Sequence, residues 1–209
     1  MEQAFRTMLT MQDRMNTRVH PQWTEQGFAW YRALWIECGE LLEHYGYKWW
    51  KKQAPDLPQV QLEVIDIWHF GLSALFADGD GIDTMAARMA TEIGDFEPEG
   101  LGVREATEAL ALHALQTKGF SPTRFWELML AAGLDFGTLY TAYVGKNVLN
   151  FLRQDYGYQE GTYIKIWEGR EDNEHLVEVL ASHDSTAADF AEQVYASLEA
   201  RYSAAAAGG

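Results

Sequence analysis

The chain has 209 residues, 47% of them hydrophobic, enough for one substantial core in a single domain. A formal charge of −15 and a pI near 4.7 argue against general binding to nucleic acid or to an anionic membrane surface, because both need a positive field. One cysteine, Cys38, cannot form an internal disulfide, and no segment approaches about 18 uninterrupted apolar residues, so the expectation is a cytoplasmic protein with no membrane partner.

Helical periodicity runs through most of the sequence and predicts an all-α bundle. A first helix is expected over about 3–18, ending near His20-Pro21 because the residue before proline is driven out of helical geometry. The second runs from about Thr24, a plausible N-cap, to His44, and the third from Pro58, a good first-turn residue, to about Phe76. Gly- and Pro-marked breaks at GDGID, GDFEPEG, KGFSP and AGLDFG separate further helices at about 83–93, 103–117, 122–133 and 136–154. The stretch DYGYQEGTYIKIWEGR is rich in glycine and aromatics and reads as an ordered loop, near residues 155–173, before a last helix at about 185–202. Residues 1–203 are then one domain, and 204–209, within SAAAAGG, a frayed, disordered tail.

The chemistry concentrates in two carboxylate pairs. Glu37 and Glu40 lie in WIECGELLEHYG, and Glu63 and Asp66 in LEVIDIWHFG. Residues i and i+3 share a helix face, so each pair presents two acids to one point. The connection YGYKWWKKQAPDL makes the two helices a hairpin, and at roughly 1.5 Å per residue the pairs stand level, about 7 to 9 Å from its turn. Spacing alone is weak, because chance supplies roughly four or five such pairs in so acidic a chain. The apolar surroundings are stronger, since buried carboxylates need a positive partner. That partner is either a metal such as magnesium or a Lys or Arg side chain.

The distribution of basic residues favours the metal. Lys48, Lys51 and Lys52 occupy the turn between the acidic helices, while Lys146, Arg153, Lys165 and Arg170 fall in one late stretch. Lys146, Asn150 and Arg153 are spaced four and three apart, on one helix face suited to an anion. Carboxylates that gather magnesium, beside a separate set of cations, suit a nucleoside triphosphate and hydrolysis of its phosphoanhydride. No G-x-S-x-G elbow or GK[ST] loop occurs, so acyl transfer and P-loop chemistry lack support.

These residues sit in blocks that resemble the dimeric, all-α dUTP diphosphatases of the kinetoplastid and Campylobacter type, in the all-α nucleoside triphosphate pyrophosphatase group. The blocks are LTMQDRMN, ECGELLEHYGYKWWKK, LEVIDIWHFGLS and YVGKNVLNFLRQDYGYQEGTYIKIWEGREDN. The stretch from about 78 to 135 carries no such block. The resemblance implies a homodimer that hydrolyses dUTP, and dUDP, to dUMP. It further implies that Glu37, Glu40, Glu63 and Asp66 bind two or more Mg2+ ions and that metal-polarised water attacks the β-phosphate. Glu37 is the expected base, with Glu40 its competitor. Gln12, Asn16, Trp49, His69 and Phe70 would form the uracil and deoxyribose pocket, and Lys146, Asn150, Arg153, Tyr158, Lys165 and Asn173 would hold sugar and phosphates. One departure is Gln159, where relatives commonly carry lysine. Other readings remain: a pyrophosphatase for another pyrimidine or a modified deoxynucleotide, a nucleotide-binding regulator without turnover, or a ferritin-like iron protein using the Asp66-x-x-His69 step.

Overall fold

The structure, a computed structural model, describes residues 1–187 and 189–207. Its helices are α1 (Glu2–Val19), α2 (Trp30–Tyr45), α3 (Leu57–Leu75), α4 (Ile82–Gly94), α5 (Val103–Thr117), α6 (Pro122–Ala131), α7 (Phe136–Asp155), α8 (Asp172–Ala181) and α9 (Phe190–Ala207). Two-residue strands β1 (Ile166–Trp167) and β2 (Arg170–Glu171) pair antiparallel between α7 and α8.

α3 is the axis of the molecule. It is buried nearly all round, from Val60 through Leu75, and packs against α1, α2, α6 and α7. Asp56 caps it by accepting from the Gln59 N–H at 3.4 Å, and Pro58 fills its first turn, where a missing N–H costs nothing. By length and apolarity α3 with its extension to Asp78 resembles a membrane span, yet 67% of that window is buried inside the molecule, the mark of a core helix. Trp68 is fully buried, with its ring centroid 4.5 Å from that of Phe125 and its N–H against the Met8 sulfur at 3.3 Å.

α2 and α3 form the hairpin that carries the four acids, closed where the Asp56 N–H donates to the His44 carbonyl at 3.0 Å. α5 buttresses its turn: the Arg104 Nε donates to the Gly46 carbonyl at 3.0 Å, and the guanidinium lies 5.0 Å from the Tyr45 ring centroid. α1 contributes a stripe at helical spacing, Phe5, Met8, Leu9, Gln12, Met15 and Asn16, whose inner end is polar. α7 lies beside α1 and α3, and α8 and α9 close over its outer side.

The expected boundaries need three corrections. α2 begins at Trp30, not Thr24: Trp23–Glu25 is a short 3-10 turn, Gly27 takes φ +62°, and Trp23 is buried against Trp30 and Phe76. The loop expected over 155–173 ends at Glu171. It holds a small hairpin whose turn residues Glu168 and Gly169 both take positive φ, and Asp172 opens α8, a helix the sequence reading lacked. The last helix starts at Phe190 and continues to Ala207, through four of the six residues expected to fray; Gly208 and Gly209 lie outside the described residues.

Candidate active site

The hairpin brings Glu37, Glu40 and Glu63 together, with one ligand oxygen from each within 4.8 Å of the others. Glu63 is buried, Glu37 half-buried, and Glu40 exposed at the rim. Burial, and then the negative charge of Asp66, push the Glu37 carboxyl up to about 8, and the hydrogen bond it shares with Glu63 acts in the same direction. Burial and Asp66 also raise Glu63 above the ordinary carboxylate range. Glu37 therefore keeps its proton at neutral pH when no cation is present, in the hydrogen bond it shares with Glu63. An all-oxygen, acid-rich donor set at this spacing fits a hard divalent ion, and it contains no histidine of the kind an iron bundle requires.

Asp66 stands apart from that trio. Its Oδ2 accepts from the Lys146 Nζ at 3.1 Å, so the fourth acid is neutralised by the protein's own cation while the other three converge. His44 approaches the trio from the other side, its Nε2 at 3.6 Å from Glu63 Oε1.

A cavity of about 500 Å³ opens where α1, α2, α3 and α7 meet. α2 and α3 line it with Glu37, Asp66, His69 and Phe70, α1 with Gln12 and Asn16, α7 with Lys146, Asn150 and Arg153, and Tyr158 stands just beyond α7. Ten residues expected from sequence thus border one space. Four lining residues were not anticipated: Met15, Val19, Trp30 and Gln154. Met15 and Val19 carry a legible signal, since with Gln12 and Asn16 they complete the i, i+3, i+4, i+7 stripe of α1. Trp30 lies nearly parallel to Phe70, 6.3 Å between ring centroids.

A buried polar chain sets the orientation of the amides. Gln12 Nε2 donates to Asn16 Oδ1 at 3.0 Å, Asn16 Nδ2 donates to Ser73 Oγ at 3.0 Å, and the Tyr143 hydroxyl lies 3.0 Å from Gln12 Oε1. His69 Nδ1 faces the same Gln12 oxygen at 3.0 Å, and since that oxygen only accepts, the imidazole proton belongs on Nδ1. Burial, and then Lys146, push His69 down to about 3, so the ring is neutral, and its buried Nε2 has no protein partner. His69 also stacks on Tyr143 with centroids 4.4 Å apart.

Of the five expected residues that do not line the cavity, Glu40 and Glu63 stand in the trio with Glu37 and three lie apart from both. Trp49 is 90% exposed on the hairpin turn, Lys165 is exposed and pairs with Glu171 at 3.2 Å, and Asn173 sits in the first turn of α8 with its buried Oδ1 unpartnered. The resemblance implies Lys165 and Asn173 for the sugar and phosphates, but here Lys165 is held by Glu171 and Asn173 belongs to the start of α8, and neither borders the cavity. The remaining cation, Arg153, makes a two-pronged contact with Asp172, which sequence reasoning missed.

No curated protein matches the chain. A family model described as dUTPase matches residues 4–158, which include the carboxylate hairpin, the polar chain of α1 and all of α7. That span covers about three quarters of the chain and places it in the dUTPase family, as an enzyme with dUTP diphosphatase activity.

Proposed function

We propose that this enzyme hydrolyses dUTP, and dUDP, to dUMP in a magnesium-dependent reaction, with water attacking the β-phosphate. The observation that carries the reading is one cavity bordered by Glu37 of the carboxylate trio, by Asp66, by two cationic side chains and by an oriented amide–imidazole chain. Glu37, Glu40 and Glu63 would hold magnesium, with Asp66 joining them once Lys146 turns away. When bound, magnesium would neutralise phosphate charge and polarise the attacked phosphoryl group. Glu37, at the centre of the cluster and bordering the cavity, is the group we assign to orient the attacking water and take its proton. Lys146, Asn150 and Arg153 offer charged and neutral donors to the phosphates from one face of α7.

The polar chain accounts for uracil. With the amide oxygens of Gln12 and Asn16 both engaged inside the protein, each amide keeps an N–H to offer, and His69 Nε2 offers a lone pair. Donor and acceptor groups of this kind complement uracil, whose edge reads acceptor, donor, acceptor, and Phe70 supplies a stacking face. Cytosine replaces one of those acceptors with a donor. The reading includes a homodimer in the cytoplasm: Tyr47, Trp49 and Trp50 are exposed together on the hairpin turn, and Trp49 would meet a nucleotide only across a subunit contact. Sedimentation of a monomer at micromolar concentration would refute the dimer.

The deciding experiment is pyrophosphate release from a panel of deoxynucleotides with and without magnesium. The expected outcome is turnover of dUTP that exceeds that of dCTP and dTTP by at least tenfold and stops in EDTA. Equal turnover of dCTP or dTTP would overturn the uracil assignment, and undiminished turnover in EDTA the metal assignment.

A further inference from the structure

Asp172 is 0% exposed, yet it is not a member of the carboxylate cluster. Its Oδ2 accepts from Arg153 Nε at 2.9 Å, its Oδ1 from Arg153 Nη2 at 2.9 Å, and its Oδ2 again from the Tyr163 hydroxyl at 2.9 Å. Its own N–H donates to the Lys165 carbonyl at 3.0 Å. One buried carboxylate therefore joins α7, the glycine-rich loop and the start of α8. The Tyr163 ring is itself held flat against Tyr202 of α9, 3° from parallel.

A guanidinium carries five N–H groups in a rigid fork. Asp172 takes two from Arg153 and Asn150 Oδ1 takes a third, at 3.2 Å, which leaves two, one on each terminal nitrogen, on a residue that borders the cavity. An arginine with its inner edge so fixed presents its remaining donors without losing rotamer freedom when an anion arrives.

We propose that Asp172, braced by Tyr163, is the positioning residue that aims Arg153 at the phosphates of the nucleotide. The inference rests on the phosphate-binding role assigned above to this face of α7. It also gives the segment beyond residue 158, outside the matched family span, a part in the site. A purely structural ion pair would instead serve only to pin α8 to α7.

The test compares Asp172→Asn, Arg153→Lys and the double variant, with titrations in EDTA, where no hydrolysis is expected, of dUDP and of deoxyuridine, which lacks phosphates. Asp172→Asn is expected to weaken dUDP binding about tenfold while deoxyuridine affinity stays within twofold. In the Arg153→Lys background the same substitution is expected to add less than about twofold, because it acts through Arg153. Equal loss for both ligands, or additive losses in the double variant, would overturn the proposal in favour of a structural pair. Should Asp172→Asn fail to fold, Tyr163→Phe keeps both charges and removes only the brace. It is expected to weaken dUDP selectively by about threefold, and an unchanged dUDP affinity would overturn the proposal. Failure of the wild-type protein to bind dUDP at all would instead remove the phosphate role itself, a separate result.

Discussion

Glu37 holds a proton that a metal ion would have to displace. Its carboxyl sits at about 8 in the fold against 4.5 ordinarily, so between those values the folded chain binds more protons than the unfolded chain, and stability falls as pH rises. His69 works oppositely: held down to about 3 from 6.5, it costs stability as pH falls below 6.5. The window in which Glu37 acts without His69 is therefore pH 6.5 to 8. In EDTA the melting temperature is expected to drop across that window, and in Glu37→Gln it is expected to stay flat; a slope that survives the substitution would assign the proton elsewhere. Loading magnesium at pH 7 is expected to release protons, read by calorimetry in buffers of different ionisation enthalpy. Glu37→Gln and Asp66→Asn are each expected to cut hydrolysis by about 10³-fold or more with helical circular dichroism unchanged. Near-native rates in either variant would remove the metal assignment. Glu37, Glu63 and Asp66 were all legible from spacing within apolar runs. The split between the trio and Asp66 was not, because it depends on Lys146, 80 residues further along the chain.

Helices with strong local punctuation could be read directly. Pro58 and the breaks KGFSP and AGLDFG mark the starts of α3, α6 and α7, and the structure adds side-chain N-caps there from Asp56, Ser121 and Asp135. The start of α2 misled because Thr24 looks like a cap, whereas Gly27 and the burial of Trp23 bend the chain before the helix begins. α8 was illegible for a different reason. It is short, and its buried face, Asp172, His175, Leu176 and Val179, is held by contacts distant in sequence. One of these is Gly145 of α7, where a Cβ would stand 2.7 Å from Leu180. Gly145→Val is expected to destabilise the protein by about 1–3 kcal/mol through overpacking, measured by urea unfolding, and to lower activity by displacing Asp172 with α8. Unchanged stability would mean that α8 moves aside without resistance.

At the scale of the molecule, the stretch 78–135 that matched no motif supplies none of the cavity. Instead α4, α5 and α6 support α1, the hairpin turn and α3 from behind, and Gly71 lets the Phe120 ring come within 2.6 Å of where a Cβ would stand. Magnesium is expected to raise the melting temperature, since at 100 times its dissociation constant a ligand of the folded state adds about 2.7 kcal/mol. No shift at saturation would count against a preformed site. The resting pair of Lys146 and Asp66 has a further effect in a protein of net charge −15. A polyanion approaching such a body is repelled, and both cations that border the cavity are already engaged by aspartates. Were Asp66 to turn to a divalent ion, as proposed above, Lys146 would be released in the same event, so guest and counterion would enter as an escorted pair. Each would then tighten the other by one common factor, and matched titrations of a non-hydrolysable imido analogue of dUDP at rising magnesium and of magnesium at rising analogue are expected to return the same number.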